Sequence, residues 1–134
     1  MAPEYSAFHQ ERDQTFFLDW SILTDSGKRF ENLLAVSLLR MAARFTERGS
    51  GIFEVMYIRD KEKREVDFVL IKDNRPIALF EAKEGDSEIS ASGRYFSKRL
   101  GVPFYQITYH FKEFEEFPGN CFKISATNFL MLTG

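Results

Sequence analysis

One stretch constrains this chain more than any other: Glu65-Val-Asp-Phe-Val-Leu-Ile-Lys72, then Asp-Asn-Arg, then Pro76-Ile-Ala-Leu-Phe-Glu-Ala-Lys83. Two runs rich in branched and aromatic residues, separated by a turn cluster, read as a β-hairpin. A three-residue turn at Asp73, Asn74 and Arg75 pairs Lys72 with Pro76. Counting back, Asp67 lies directly opposite Glu81, and Glu65 opposite Lys83. Opposed residues of an antiparallel pair share a face. One face then carries Ile71, Val69, Asp67 and Glu65 beside Ile77, Leu79, Glu81 and Lys83, apolar near the turn and ionic at the far end. The other carries Val66, Phe68 and Leu70 beside Ala82, Phe80 and Ala78 and is wholly apolar. A hairpin apolar on both faces at its middle belongs at the centre of a sheet flanked by helices.

Packing gives no reason to oppose two carboxylates there. Their Cβ atoms would stand about 5 Å apart, where like charges repel. A proton, a cation or Lys83 is needed to offset the repulsion, and a hard divalent ion such as Mg²⁺ suits converging carboxylate oxygens. The inference depends on register, because a slip of one residue sends the two acids to opposite faces.

The remaining elements fall around this hairpin. Residues 1–15 are mostly polar and read as a flexible or partner-dependent lead-in, with the folded domain spanning 16–134. Phe16 to Trp20 is a short extended apolar segment. Asp25 or Ser26 caps a helix whose apolar residues Phe30, Leu33, Leu34, Leu38, Met41 and Phe45 recur at helical spacing and which ends before Gly49-Ser50-Gly51. Ile52 to Arg59 is a strand, and Asp60 to Arg64 a charged turn into the central hairpin. Gly85-Asp86-Ser87 leaves the sheet for a second helix with Ile89, Phe96 and Leu100 on its stripe and Gly101 as its stop. Pro103 to Tyr109 is a strand parallel to Pro76 to Lys83, since a helical crossover separates them. Phe111 to Asn120 reads as a connection, Phe122 to Ser125 as an edge strand, and Thr127 as the cap of a last short helix. The expected class is therefore α/β, with the order helix, three-strand antiparallel meander, helix, strand.

At 134 residues the chain makes one domain. A net charge of -2 gives no bulk footprint for nucleic acid, so any such contact must come from a local basic patch. The single cysteine, Cys121, excludes an internal disulfide, and with no signal peptide and no membrane-length apolar run the expected location is the cytoplasm, with no membrane partner. His9 and His110 are isolated and receive no metal role. The 15 phenylalanines point to an aromatic core with some apolar surface left for a partner.

Val66-Asp67-Phe68 followed by Phe80-Glu81-Ala82-Lys83 resembles the D…(D/E)-x-K signature of the PD-(D/E)XK phosphodiesterases, a superfamily of restriction endonucleases and junction resolvases. A wider likeness runs through Phe17-Leu18-Asp19-Trp20, Arg29-Phe30-Glu31-Asn32-Leu33, Tyr57-Ile58-Arg59-Asp60, Arg64 to Val69 and Phe104-Tyr105-Gln106-Ile107. These segments resemble the C-terminal domain of prokaryotic predicted AAA-type ATPases. No phosphate-binding Gly-x-x-x-x-Gly-Lys-[Ser/Thr] loop is present, so the chain is a C-terminal piece or a stand-alone relative of such a protein. The resemblance implies a restriction-endonuclease-like core and a nuclease-like activity on DNA or RNA. It implies Mg²⁺ or Mn²⁺ held by Asp67, Glu81 and the Ala82 backbone carbonyl. Glu31 would complete the acidic cluster and hold a second ion, and Lys83 would orient the attacking water or stabilise transition-state charge. Its implied partners are an ATPase module or a second copy meeting the exposed aromatics.

Each residue also has a plainer reading. Asp67, Glu81 and Lys83 could form a salt-bridge cluster at a sheet end, and Glu31 could be a first-turn helix carboxylate favoured by the macrodipole. Arg94, Lys98 and Arg99 are candidates for phosphate contact or an ordinary solvated helix face. Gln106 either supports the site or is simply hydrogen-bonded. A non-catalytic module binding nucleic acid or protein beside an ATPase is the alternative function.

Overall fold

The computed structural model describes residues 26–85, 88–109 and 114–133, except the side chains of 26, 27 and 130–133. The lead-in, the Phe16–Trp20 segment, Asp25 and His110 lie outside the described residues. Helix α1 spans Ser26–Glu47, followed by strands β1 (Phe53–Arg59), β2 (Glu65–Lys72) and β3 (Arg75–Lys83). Helix α2 (Ala91–Leu100) leads to β4 (Phe104–Thr108), β5 (Glu115–Phe117), β6 (Cys121–Ser125) and helix α3 (Ala126–Thr133). The strands form one mixed sheet in the order β1-β2-β3-β4-β6-β5. β1, β2 and β3 are antiparallel; β4 runs parallel to β3, as expected across the α2 crossover, and β6 runs parallel to β4.

Apolar side chains fill both faces of the sheet. On one, Phe30, Leu34, Ala35, Leu38 and Ala42 of α1 and Phe129 of α3 bury Phe68, Leu70, Phe80, Ile107 and Ile124. On the other, Phe96 of α2 packs with Val69, Ile71, Leu79, Phe104 and Cys121. The spacing of the α1 residues is the reason that helix lies on the sheet. α2 is pressed closely onto β4: a Cβ added at Gly93 would overlap the Phe104 ring. Gly101, at φ 68°, ends α2 in the left-handed conformation. No helix among the described residues is long and apolar enough to cross a membrane.

Four details differ from the expectation. The β2–β3 turn is tighter, since Lys72 pairs with Arg75 and only Asp73 and Asn74 turn, at φ 49° and 68°. Asp and Asn tolerate the positive φ that such a turn demands at both positions. A bulge then adds one residue to β3: Ile71 faces Pro76 but Leu70 faces Ala78, which leaves Ile77 unpaired. The short turn and the bulge cancel, so Phe68 faces Phe80, the same register that a longer turn would have set.

The second difference lies across β1 and β2. Met56 pairs with Val69 but Ile58 with Val66, so Asp67 and Phe68 together oppose Tyr57. This bulge breaks the simple alternation. Val66, expected beside Phe68 and Leu70, instead joins Val69 and Ile71 in the α2-side core. Third, the segment read as a connection contains β5, which covers β6, so β6 is not an edge strand. Fourth, α3 is capped by Ser125, whose Oγ accepts from Asn128 N at 3.1 Å, rather than by Thr127.

Candidate functional site

The bulge in β2 falls at Asp67 and turns its side chain across the hairpin. Ala82 N donates to Asp67 Oδ2 at 3.0 Å. The β2–β3 ladder ends at the Phe68–Phe80 pair; Glu81 is the next residue of β3, and its charge reaches Asp67 at the bulge. Glu81 follows Leu79 onto the α2 face, and Lys83 lies two residues further along the same strand. Lys83 Nζ is 3.4 Å from Glu81 Oε2. That contact is an ion pair without hydrogen-bond geometry: Glu81 is 6% exposed, and its Oε2 makes no hydrogen bond with the described residues.

Phe30 and Leu34 anchor the first turns of α1 in the core and leave the half-buried Glu31 near the end of β2. The electrostatics show that the acids share one corner. Burial, followed by the Glu31 charge, pushes Asp67 up to about 7, with Glu81 adding to the rise and the Ala82 N–H opposing it. Burial also raises Glu31, opposed by Lys28 and reinforced by Glu65. Burial raises Glu81 as well, against Lys83 and the Ser90 hydroxyl. Each acid is kept from ionising freely by lost hydration and by its neighbours.

Glu65 was seen in sequence only as the residue facing Lys83. Its charge reaches both Glu31 and Glu81, which makes it a fourth acid of the corner. The signal for it was its place two residues before Asp67 in the same strand. Gln106, fully buried and paired in register with Glu81, holds the entry to α2: Ser90 N donates to Gln106 Oε1 and Gln106 Nε2 to Glu88 O, both at 3.0 Å. Ser90 Oγ in turn caps α2 by accepting from Gly93 N at 3.1 Å. Gln106 thus fixes the loop that brings Ser90 to Glu81.

The basic residues of α2 are placed differently. Arg94 Nη1 donates to Pro118 O at 2.7 Å, in the turn leading to the start of β6, and Lys98 and Arg99 are exposed. The acids gather at the other end of the parallel strands, so Arg94 does not join them.

Among the described residues no three Asp, Glu, His or Cys side chains stand close enough to hold a metal ion together. An ion there would therefore have no more than two of the four carboxylates, and Asp67 and Glu81 are the two that the sequence assigns to it, with the Ala82 carbonyl next along the chain. This is a fitting donor set for Mg²⁺, which binds through one or two carboxylates and keeps several waters. Glu81 Oε2, buried and without a hydrogen bond among the described residues, already has the Lys83 ammonium 3.4 Å away.

A mixed sheet between helices, with carboxylates and a lysine gathered at the end of its central hairpin, defines a three-layer α/β domain with one acidic corner. Residues 26–119 match the family described as Domain of unknown function (DUF4143), and the chain belongs to that family. The family is found in AAA-ATPase-associated proteins. The matched span contains Glu31, Asp67, Glu81 and Lys83. No curated protein and no solved structure is a match for the chain.

Proposed function

We propose that this chain is a Mg²⁺-dependent nuclease-like domain of the PD-(D/E)XK type, on a restriction-endonuclease-like core, that hydrolyses phosphodiesters of DNA or RNA as part or relative of an AAA-type ATPase. The observation that carries this reading is the gathering of two acids, Glu81 buried and Asp67 half-buried, whose charges reach each other at one end of the central hairpin. Asp67 is raised to about 7, and Glu81 Oε2 is buried without a hydrogen bond, although the hairpin register could have placed apolar residues there. Lys83 and the Ala82 N–H offset part of the repulsion between the acids, and a hard cation would offset the rest.

Asp67 Oδ2 is oriented by Ala82 N, and Glu81 by Lys83 and the Ser90 hydroxyl. A bound Mg²⁺ or Mn²⁺ would neutralise charge on a phosphoryl oxygen and acidify water. Lys83, whose side chain is 41% exposed, pairs its ammonium with Glu81 and would use its remaining donors to hold a water or a phosphate oxygen above the acids. Glu31 stands behind Asp67 as a further acceptor for a water or a second ion.

The test combines melting and cleavage. Millimolar Mn²⁺ raises the melting temperature, since an ion that binds only the native state stabilises it by mass action. Asp67→Ala and Glu81→Ala abolish that rise, and Lys83→Ala keeps it but loses cleavage. A non-catalytic module that binds nucleic acid or protein is the second reading. The engagement of Arg94 by Pro118 and the net charge of -2 favour it. Melting unchanged by every divalent ion, with no cleavage of single- or double-stranded DNA or RNA, selects this second reading.

A further inference from the structure

Four aromatic rings stand in file across the sheet, one each from β3, β4 and β6 and one just ahead of β5. Phe80 stacks on Tyr105, Tyr105 on Phe122 and Phe122 on Phe114, with centroids 5.4, 5.2 and 5.7 Å apart and planes 20°, 21° and 23° from parallel. The spacing follows that of the strands, about 4.8 Å. The inner end of the file is closed, since Phe129 meets Phe80 edge-on at 5.7 Å. The outer end is open: Phe114 is 56% exposed, and β5 is the last strand of the sheet. The outer face of Phe114 is thus turned toward the place where a further strand would lie.

Edge strands are commonly guarded by charge, and Glu115 and Glu116 fit that plainer role, but an exposed phenylalanine beside them does not. Glu116 pairs with Phe122, so it shares the face of the aromatic file with Phe114, two residues before it. Elsewhere the chain shows what a ring flanked by carboxylates holds. The Arg64 guanidinium lies 3.7 Å from the centre of the Tyr95 ring and is gripped by Asp60 Oδ2 at 2.8 Å and Glu62 Oε2 at 3.4 Å. Lys72 and Lys123 likewise face Phe53 and Phe117. Among the described residues no cation faces Phe114.

We propose that the β5 edge takes an extended protein segment carrying an arginine, which pairs with β5 as a further strand and lays its guanidinium on Phe114 with Glu116 as counter-ion. A flat, open ring face suits a planar group, and the carboxylate selects a cationic one. A nucleic-acid strand would bring its phosphates against Glu115 and Glu116. A second copy adding its own β5 would set these like charges against each other. The surface lies three strands away from β3, and it does not rest on the nuclease reading.

Titration of the full chain with the blocked pentapeptide Thr-Val-Arg-Val-Thr, followed by NMR, tests this. The amide signals of residues 114–117 should shift and their hydrogen exchange should slow. A peptide with lysine in place of arginine should bind less tightly, and one with glutamate not at all. Phe114→Ser and Glu116→Gln should each weaken the arginine peptide about fivefold, the size of an exposed cation–π contact. Glu116→Gln leaves every ring in place, so its loss of binding cannot come from disturbed packing. No shift at millimolar peptide, shifts centred away from β5, equal binding of the three peptides, or unchanged affinity in either variant overturns the proposal. An oligothymidylate that moves the same signals also overturns it, in favour of base stacking, and a concentration-dependent dimer lost in Phe114→Ser overturns it in favour of self-contact.

Discussion

Replacing Asp67 by asparagine should stabilise the ion-free protein at alkaline pH. The Asp67 carboxyl is raised from 3.8 to about 7 in the folded chain. Between those values the folded state holds a proton that the unfolded state has released, so stability falls as pH rises, and it levels off above about 7. At about 1.4 kcal/mol per pKa unit, the whole rise corresponds to on the order of 4 kcal/mol. The part lost between about pH 5 and pH 8 is on the order of 3 kcal/mol. Asp67→Asn keeps an oxygen to accept from Ala82 N and removes the charge. Urea unfolding in a chelating buffer at a series of pH values should show wild type losing stability from pH 5 to 8. The variant should be flatter by one to three kcal/mol, roughly, with the two curves converging at low pH. Glu31 and Glu81 are raised in the same direction and keep some slope in the variant. Parallel curves, or a variant weaker than wild type at pH 8, would show that Asp67 is satisfied as an anion and would remove the argument for a cation.

Three further outcomes follow from the packing. Lys83→Met should cost about 1 kcal/mol at pH 8 without ion, a modest loss for a half-exposed partner of a buried acid, read by the same urea unfolding. Gly93→Ala forces a methyl group into the Phe104 ring and should cost roughly 2 kcal/mol, seen as a lowered melting temperature with unchanged far-UV spectrum. Deleting Ile77 removes the bulge but leaves Phe68 opposite Phe80, so cross-strand NMR contacts between those two and the response to Mn²⁺ should survive.

The two helices and the four long strands were legible because each carries enough residues to show its period. α1 repeats its apolar residues over six turns, and the Asp-Asn turn between two apolar runs marks the central hairpin. β5 was invisible because Glu115-Glu116-Phe117 is too short to alternate and two of its three residues are charged. Without β5, β6 looked like an edge. The Phe68–Phe80 pairing was found at the right register from the wrong turn, since a count of residues cannot separate a longer turn from a tight turn plus a bulge. The bulge at Asp67 was beyond sequence reach for a related reason: it depends on which residue of β1 lies opposite. That depends on tertiary pairing, and it moved Val66 to the other core.

The tight turn and the Ile77 bulge have a consequence for how such a hairpin can drift. The pairing at the acidic end is set by the interlocked apolar residues from Phe68 to Leu70 and Ala78 to Phe80, and the turn merely closes the loop. One residue can pass from the bulge into the turn, or be lost from the bulge altogether, without changing which side chains meet at Asp67 and Glu81. A relative with a longer turn and a straight strand would carry the same corner. A comparison that matches gaps at the turn would misplace Pro76 and Ile77 while aligning the acids correctly. The spare residue lets the loop change length while the pairing of Phe68 with Phe80 stays in place.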